Sequence, residues 1–136
     1  MTCVVDSSVT VAWLLADERT EATVSVFRTV ARQGAVAPSI WPIEVANALT
    51  IAKRRSRITH AVRDQHLSDL ARLPIDIDSD TVAHAWNATL KLADAHGLTV
   101  YDAAYLELAQ RRRLPLATLD TALIRAANAA GLQVLP

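Results

Sequence analysis

A single cysteine, Cys3, leaves the chain no internal disulfide. A domain of 136 residues does not need one, because folding at that size buries about 68–70% of the unfolded surface. Cys3 sits in an apolar, strand-like segment and reads as a small buried side chain in a reducing compartment. No uninterrupted apolar run approaches the roughly 20 residues of a membrane span. The opening Met1-Thr2-Cys3-Val4-Val5-Asp6 lacks the basic stretch of a signal peptide and reaches a carboxylate almost at once. The expectation is a soluble, cytoplasmic protein with no membrane role. Net charge is also missing: 14 basic and 14 acidic residues cancel, so bulk electrostatics does not mark a nucleic-acid binder. The histidines His60, His66, His84 and His96 show no metal-ligand spacing and read as structural or exposed. No linker, repeat or low-complexity stretch interrupts the chain, and residues 1–136 read as one domain.

What is present is an alternation of short apolar runs with helical periodicity. Strands are expected near 2–5, 35–37, 74–77, 115–118 and 132–135. Between them, helical spacing predicts segments from Ser8 to Ala16, Thr20 to Gln33, Pro42 to about Arg55, and Thr59 to about Leu73. A further helix opens at Ser79 or Asp80, with Val82, Ala85, Trp86, Leu90 and Ala93 inward, and ends at Gly97. Thr99 with Asp102 three residues on resembles a capping box for a helix to about Arg112. Asp120 caps a last helix to about Ala130. Strands separated by helices predict an α/β fold, a three-layer α/β/α sandwich around a short, mainly parallel five-stranded sheet.

Four acids stand at expected helix starts: Asp6, Glu44, Asp102 and Asp120. Each has a plain explanation, because Asp is a favoured N-cap and the helix dipole favours negative charge in a first turn. Ligand sites in parallel sheets lie beyond the carboxyl ends of the strands. Asp6 and Asp120 fall there directly, and Glu44 is displaced by a short loop. Asp102 follows a helix, so periodicity does not place it. Gathered at one edge, the four would repel one another, and a divalent cation is the simplest thing that would make the cluster tolerable. Such a cluster points to metal-assisted phosphodiester hydrolysis. Ser8 and Thr118 could support a metal or bond local backbone. Asn47, one turn after Glu44, could face the same site or plain solvent. Two basic runs, Lys53-Arg54-Arg55-Ser56-Arg57 and Arg111-Arg112-Arg113, could hold phosphates or could close helices and face water. Trp13, Trp41 and Trp86 read as core or dimer contacts rather than as base-stacking platforms.

The ordered set Asp6-Ser7-Ser8, Glu44, Tyr101-Asp102-Ala103-Ala104-Tyr105-Leu106 and Leu116-Ala117-Thr118-Leu119-Asp120, then Ala130-Gly131-Leu132, resembles the PIN domain across essentially the whole chain. Within that family it is most similar to the VapC-type toxin ribonucleases of bacterial toxin–antitoxin pairs. The resemblance implies an endoribonuclease dependent on Mg²⁺ or Mn²⁺. Asp6 and Asp102 would be the principal metal ligands, with Glu44 and Asp120 completing the shell and Ser8 and Thr118 supporting it. It also implies an RNA substrate, a small VapB-like antitoxin partner and a homodimer. Arg111, Arg112 and Arg113 are candidate contacts to RNA or antitoxin.

Two other enzyme classes lack residues they need. An aspartyl-phosphate receiver domain requires an acidic pair after the first strand and a lysine after the last, but the only lysines are Lys53 and Lys91. A haloacid-dehalogenase-type phosphatase requires an Asp two residues after the first, where this chain has Ser8. The non-enzyme alternative is a catalytically silent PIN-like module that holds a partner protein.

Overall fold

Apolar runs of two or three residues bury little on their own, and all five pair into one parallel sheet. The computed structural model describes residues 1–136 throughout. In chain order the elements are β1 (Val4–Val5), α1 (Ser7–Leu14), α2 (Glu21–Gln33), β2 (Ala35–Ala37), α3 (Trp41–Arg54), α4 (His60–Leu70), β3 (Ile75–Ile77), α5 (Thr81–His84), α6 (Ala88–His96), α7 (Val100–Arg112), β4 (Leu116–Ala117), α8 (Thr121–Ala129) and β5 (Val134–Leu135). The strand order is β3-β2-β1-β4-β5. Val4 registers with Val36 on one side and with Leu116 on the other. The three inner strands are buried completely, as a parallel sheet covered on both faces requires.

The winding decides where a ligand can sit. From β1 the chain steps to β2 and then β3, carrying α1 to α4. From β3 it crosses back to β4 and then steps outward to β5, carrying α5 to α8. Right-handed crossovers running in opposite directions put the two helix sets on opposite faces of the sheet. The direction reverses between β1 and β4, which opens a crevice at their carboxyl ends. Asp6 follows β1 directly and Thr118 follows β4, so the two face each other across it.

Several helix boundaries follow from local chemistry. Thr20, Thr59, Thr99 and Asp120 each accept a backbone N–H three residues on, and so cap α2, α4, α7 and α8. Four helices close in the same way at the other end. Arg57, Leu98, Leu114 and Leu132 donate back to Ala52, Ala93, Ala109 and Ala127, each just after a residue of positive φ: Ser56, Gly97, Arg113 and Gly131. This is the Schellman arrangement. With few glycines in the chain, Ser and Arg occupy two of its left-handed positions.

The helix expected from Ser79 or Asp80 to Gly97 is broken into α5 and α6, giving eight helices rather than seven. Asn87 leaves helical conformation at φ −129°, ψ −97°, and the inward face is reset there. Thr89 and Ala93 point inward after the break, whereas Val82 and Trp86, expected in the core, are 75% and 92% exposed. Trp13 and Trp41 are buried as expected, with their indole N–H groups donating to the Thr23 carbonyl and the Thr10 hydroxyl.

Arg111 is committed to two acids within the fold. Its guanidinium bridges Asp78, at 2.8 and 3.1 Å, and Glu107, at 2.7 Å. The two acids are almost fully buried, their side chains 3% and 5% exposed. The Arg113 backbone takes the left-handed turn, and Arg112 reaches the Met1 sulfur. Burial works to raise the Asp78 carboxyl, but the Arg111 and Thr81 hydrogen bonds outweigh it and hold it below the usual aspartate value.

Removing the guanidinium would strand two buried carboxylates. Arg111→Ala is expected to cost about 3 kcal/mol, the low end for a broken buried pair, while Arg112→Ala stays within about 0.5 kcal/mol of the parent. Chemical denaturation of both variants checks this. The pH dependence follows from the lowered Asp78 value: its stabilisation is present at neutral pH and fades as pH falls below about 3.9. The Arg111→Ala variant should therefore lose less of its remaining stability between pH 5 and pH 3 than the parent does.

Candidate active site

The crevice between β1 and β4 holds a cleft of about 430 Å³, lined by Asp6, Ser8, Glu18, Ala48, Asp102 and Asp120 among others. Asp6 is 3% exposed. It occupies the N-cap position of α1 but makes no side-chain capping bond. Its carboxylate instead accepts from the Ser8 hydroxyl at 2.6 Å and the Thr118 hydroxyl at 2.7 Å. The same two hydroxyls accept the backbone N–H groups of Leu119 and Asp120. The turn after β4 is thereby tied to the end of β1, and the Asp6 carboxylate is fixed in orientation without being neutralised.

The other acids arrive by different routes. Asp120 caps α8 through the Leu123 N–H at 2.9 Å and still lines the cleft, so capping does not withdraw it from the crevice. Asp102 lies in the first turn of α7, its N–H bonded to the Thr99 hydroxyl. α7 packs against β1, β4, α6 and α8, and that packing brings Asp102 to the crevice. Burial raises the Asp102 carboxyl above its usual value, and the charges of Asp120 and Asp6 push it further in the same direction.

Glu44 stands one turn into α3, beside the cleft rather than in its lining. Burial raises its carboxyl too; the Tyr105 hydrogen bond opposes this, and the charges of Asp6 and Asp102 add to it. The Tyr105 hydroxyl, on a fully buried side chain, donates to Glu44. Burial and that bond drive the phenol far above its usual value, so it remains a donor. Sequence reasoning quoted Tyr105 in a motif but gave it no role. Its register, one turn after Asp102 on the same helix, is the signal that was available. Glu18 was missed as well, because it lies in the irregular segment after α1. Asn47 is exposed and makes no side-chain hydrogen bond.

Asp6, Asp102 and Asp120 thus share one cleft, with Glu44 adjacent. No three His, Cys, Asp or Glu groups converge on a single ligating point. Carboxylate and hydroxyl oxygens suit a hard divalent cation, and Mg²⁺ is commonly held by one or two carboxylates with waters and substrate phosphates filling the rest. The mutual repulsion that raises Glu44 and Asp102 is what such an ion would relieve. The donor set fits the group, although it is not a closed cage.

Two variants test this electrostatic picture. Ionised Asp102 is disfavoured in the fold, so Asp102→Asn is expected to raise the melting temperature in EDTA at neutral pH, with the gain shrinking at acid pH as the parent carboxylate protonates. Tyr105→Phe should cost about 1–3 kcal/mol by leaving a half-buried acceptor without its donor. Thermal and chemical unfolding measure both.

The family model of the PIN domain matches residues 3–129. No curated protein matches by sequence. Among solved structures, a protein from Pyrobaculum aerophilum is 23% identical with a TM-score of 0.71, over 98% of this chain and 90% of that one. A toxin–antitoxin complex from Klebsiella pneumoniae is 18% identical with a TM-score of 0.59, over 88% of each chain. VapBC2 from Rickettsia felis, bound to a DNA fragment from their promoter, is 15% identical with a TM-score of 0.65, over 98% of this chain and 97% of that one. At these identities the likeness is one of fold.

Proposed function

This chain belongs to the PIN domain family, and from that premise we propose that it is a metal-dependent endoribonuclease, the toxin of a VapBC-type pair. The observation that carries the proposal is the treatment of Asp6. A buried carboxylate at a helix start, turned away from its cap and held by two neutral hydroxyls, is oriented for something other than the helix. The acids Asp102 and Asp120 line the same cleft.

In this reading Asp6 and Asp102 hold Mg²⁺ or Mn²⁺, and Glu44 and Asp120 complete the shell directly or through water. An ion held there would supply a water of lowered pKa and charge to offset that of the scissile phosphate. The chain's own residues do the rest. Ser8 and Thr118 fix the Asp6 carboxylate, and Tyr105 fixes Glu44. The N-termini of α1, α7 and α8 turn partial positive charge toward a phosphate in the cleft. The products, by analogy with the family, carry a 5′-phosphate and a 3′-hydroxyl.

The partner is a small VapB-like antitoxin and the protein is a homodimer; both follow from the resemblance, and the toxin–antitoxin neighbours support the first. Residues 1–136 form one functional domain acting on RNA in the cytoplasm. No helix is long and apolar enough to cross a membrane.

Purified protein incubated with labelled RNA is expected to cut in Mg²⁺ and not in EDTA. Asp6→Asn should abolish cutting with the fold retained. Thr118→Val, which removes only a supporting hydroxyl, should cost on the order of 10–100-fold. Undiminished cutting by a folded Asp6→Asn variant would refute the site. Absence of any metal-dependent cutting would leave the silent binding module as the better reading.

A further inference from the structure

The Lys53–Arg57 run reads from sequence alone as either a phosphate contact or a solvated helix end. Its position in the fold separates the two. Ala48 lines the cleft and Glu44 stands beside it, one turn earlier on α3. The α-helical repeat carries that face on through Ile51 to Arg55. A rise of about 1.5 Å per residue sets Arg55 roughly 10 Å beyond Ala48 along the same stripe. Ile51 is 38% exposed and forms an open apolar step between them.

A second contact fixes the run from the opposite wall. Ser56 takes a positive φ of 58° and Arg57 donates its N–H back to Ala52, so the end of α3 is locked in a Schellman turn. The Arg57 guanidinium then bonds Glu18 at 3.0 Å and Asp17 at 2.9 Å, and Glu18 itself lines the cleft. Arg57 therefore stands at the cleft rim. Arg54 and Arg55 are exposed and enter none of the chain's ion pairs.

An acidic cleft repels a phosphate chain everywhere except at a bound cation. A polyanion must be drawn in by positive charge beside the cleft, and this end of α3 supplies it in a fixed geometry. Resting on the nuclease reading above, we infer that Arg55, set at the cleft end of α3 by the ion-paired Arg57, holds the backbone of single-stranded RNA leading into the cleft. The Arg111–Arg113 run is the alternative, and its first cation is already committed to Asp78 and Glu107.

The test compares Arg55→Glu with Arg32→Glu, which reverses an exposed cation in the last turn of α2 and so makes the same change to a helix dipole. Anisotropy of a labelled single-stranded oligoribonucleotide is titrated with each full-length protein in EDTA across a range of salt. Cleavage kinetics are run in Mg²⁺. Arg55→Glu is expected to weaken binding several-fold, to lower the slope of log K against log salt by about 0.7, and to raise KM with kcat at saturating RNA unchanged. Arg32→Glu moves neither. Arg55→Ala, which adds no acid, must shift the same readouts in the same direction. If both Arg55 variants bind and cut like Arg32→Glu, the Arg55 contact is wrong while the nuclease stands. If the protein binds RNA through Arg55 and cuts nothing, the contact stands and the nuclease reading fails.

Discussion

Negative charge concentrated at the β1–β4 crevice is the constraint around which the rest of this structure is arranged. Asp6 is among the most buried charged groups in the chain, and it lies close enough to Asp102 and Glu44 to raise both. Such a cluster persists only if the fold holds it in place. The bonds from Ser8 and Thr118 to the Asp6 carboxylate join α1, β1 and the turn after β4. They also clamp the two strands where the winding direction reverses.

The counterweight is α7. Its first turn delivers Asp102 and its second delivers Tyr105, while its far end is anchored by Arg111 to Asp78, beyond the edge strand β3. Seven consecutive residues of this helix, Ala103 to Ala109, are buried. A helix gripped along its length and pinned at its end has little freedom to rotate its acids away from one another. Tolerance of repulsion at one end therefore depends on packing and ion pairing at the other.

Much of this was legible in the chain. Strand positions followed from apolar runs, and the caps at Thr99 and Asp120 followed from residue chemistry, because both are local. The acids were recognisable as a set, but their gathering was not derivable. Thr118 reaches Asp6 from 112 residues downstream, and Tyr105 reaches Glu44 across 61; no periodicity encodes those meetings. The break between α5 and α6 was invisible for a different reason. No Gly or Pro marks it, and Val82 and Trp86 sit at helical spacing that reads as core. Arg111 looked like a free surface cation because its partners lie just after β3 and one turn back on its own helix, and only the fold brings them together.

Two aspartates show how one residue type is put to opposite uses. Asp6 and Asp78 are buried to nearly the same extent, 3% and 5% exposed. Each follows a strand of the same sheet. Asp78 is met by a guanidinium that forks onto both its oxygens. Its charge is cancelled locally, its carboxyl is held below the usual value, and it has nothing left to offer a cation. Asp6 is met by hydroxyls, two of them on its Oδ2, which set its direction without bringing a positive charge. An arginine in place of Thr118 would pair with Asp6 as Arg111 pairs with Asp78. Neutral donors at Asp6, against a charged donor at Asp78, distinguish a carboxylate whose charge has no local partner from one whose charge holds a helix.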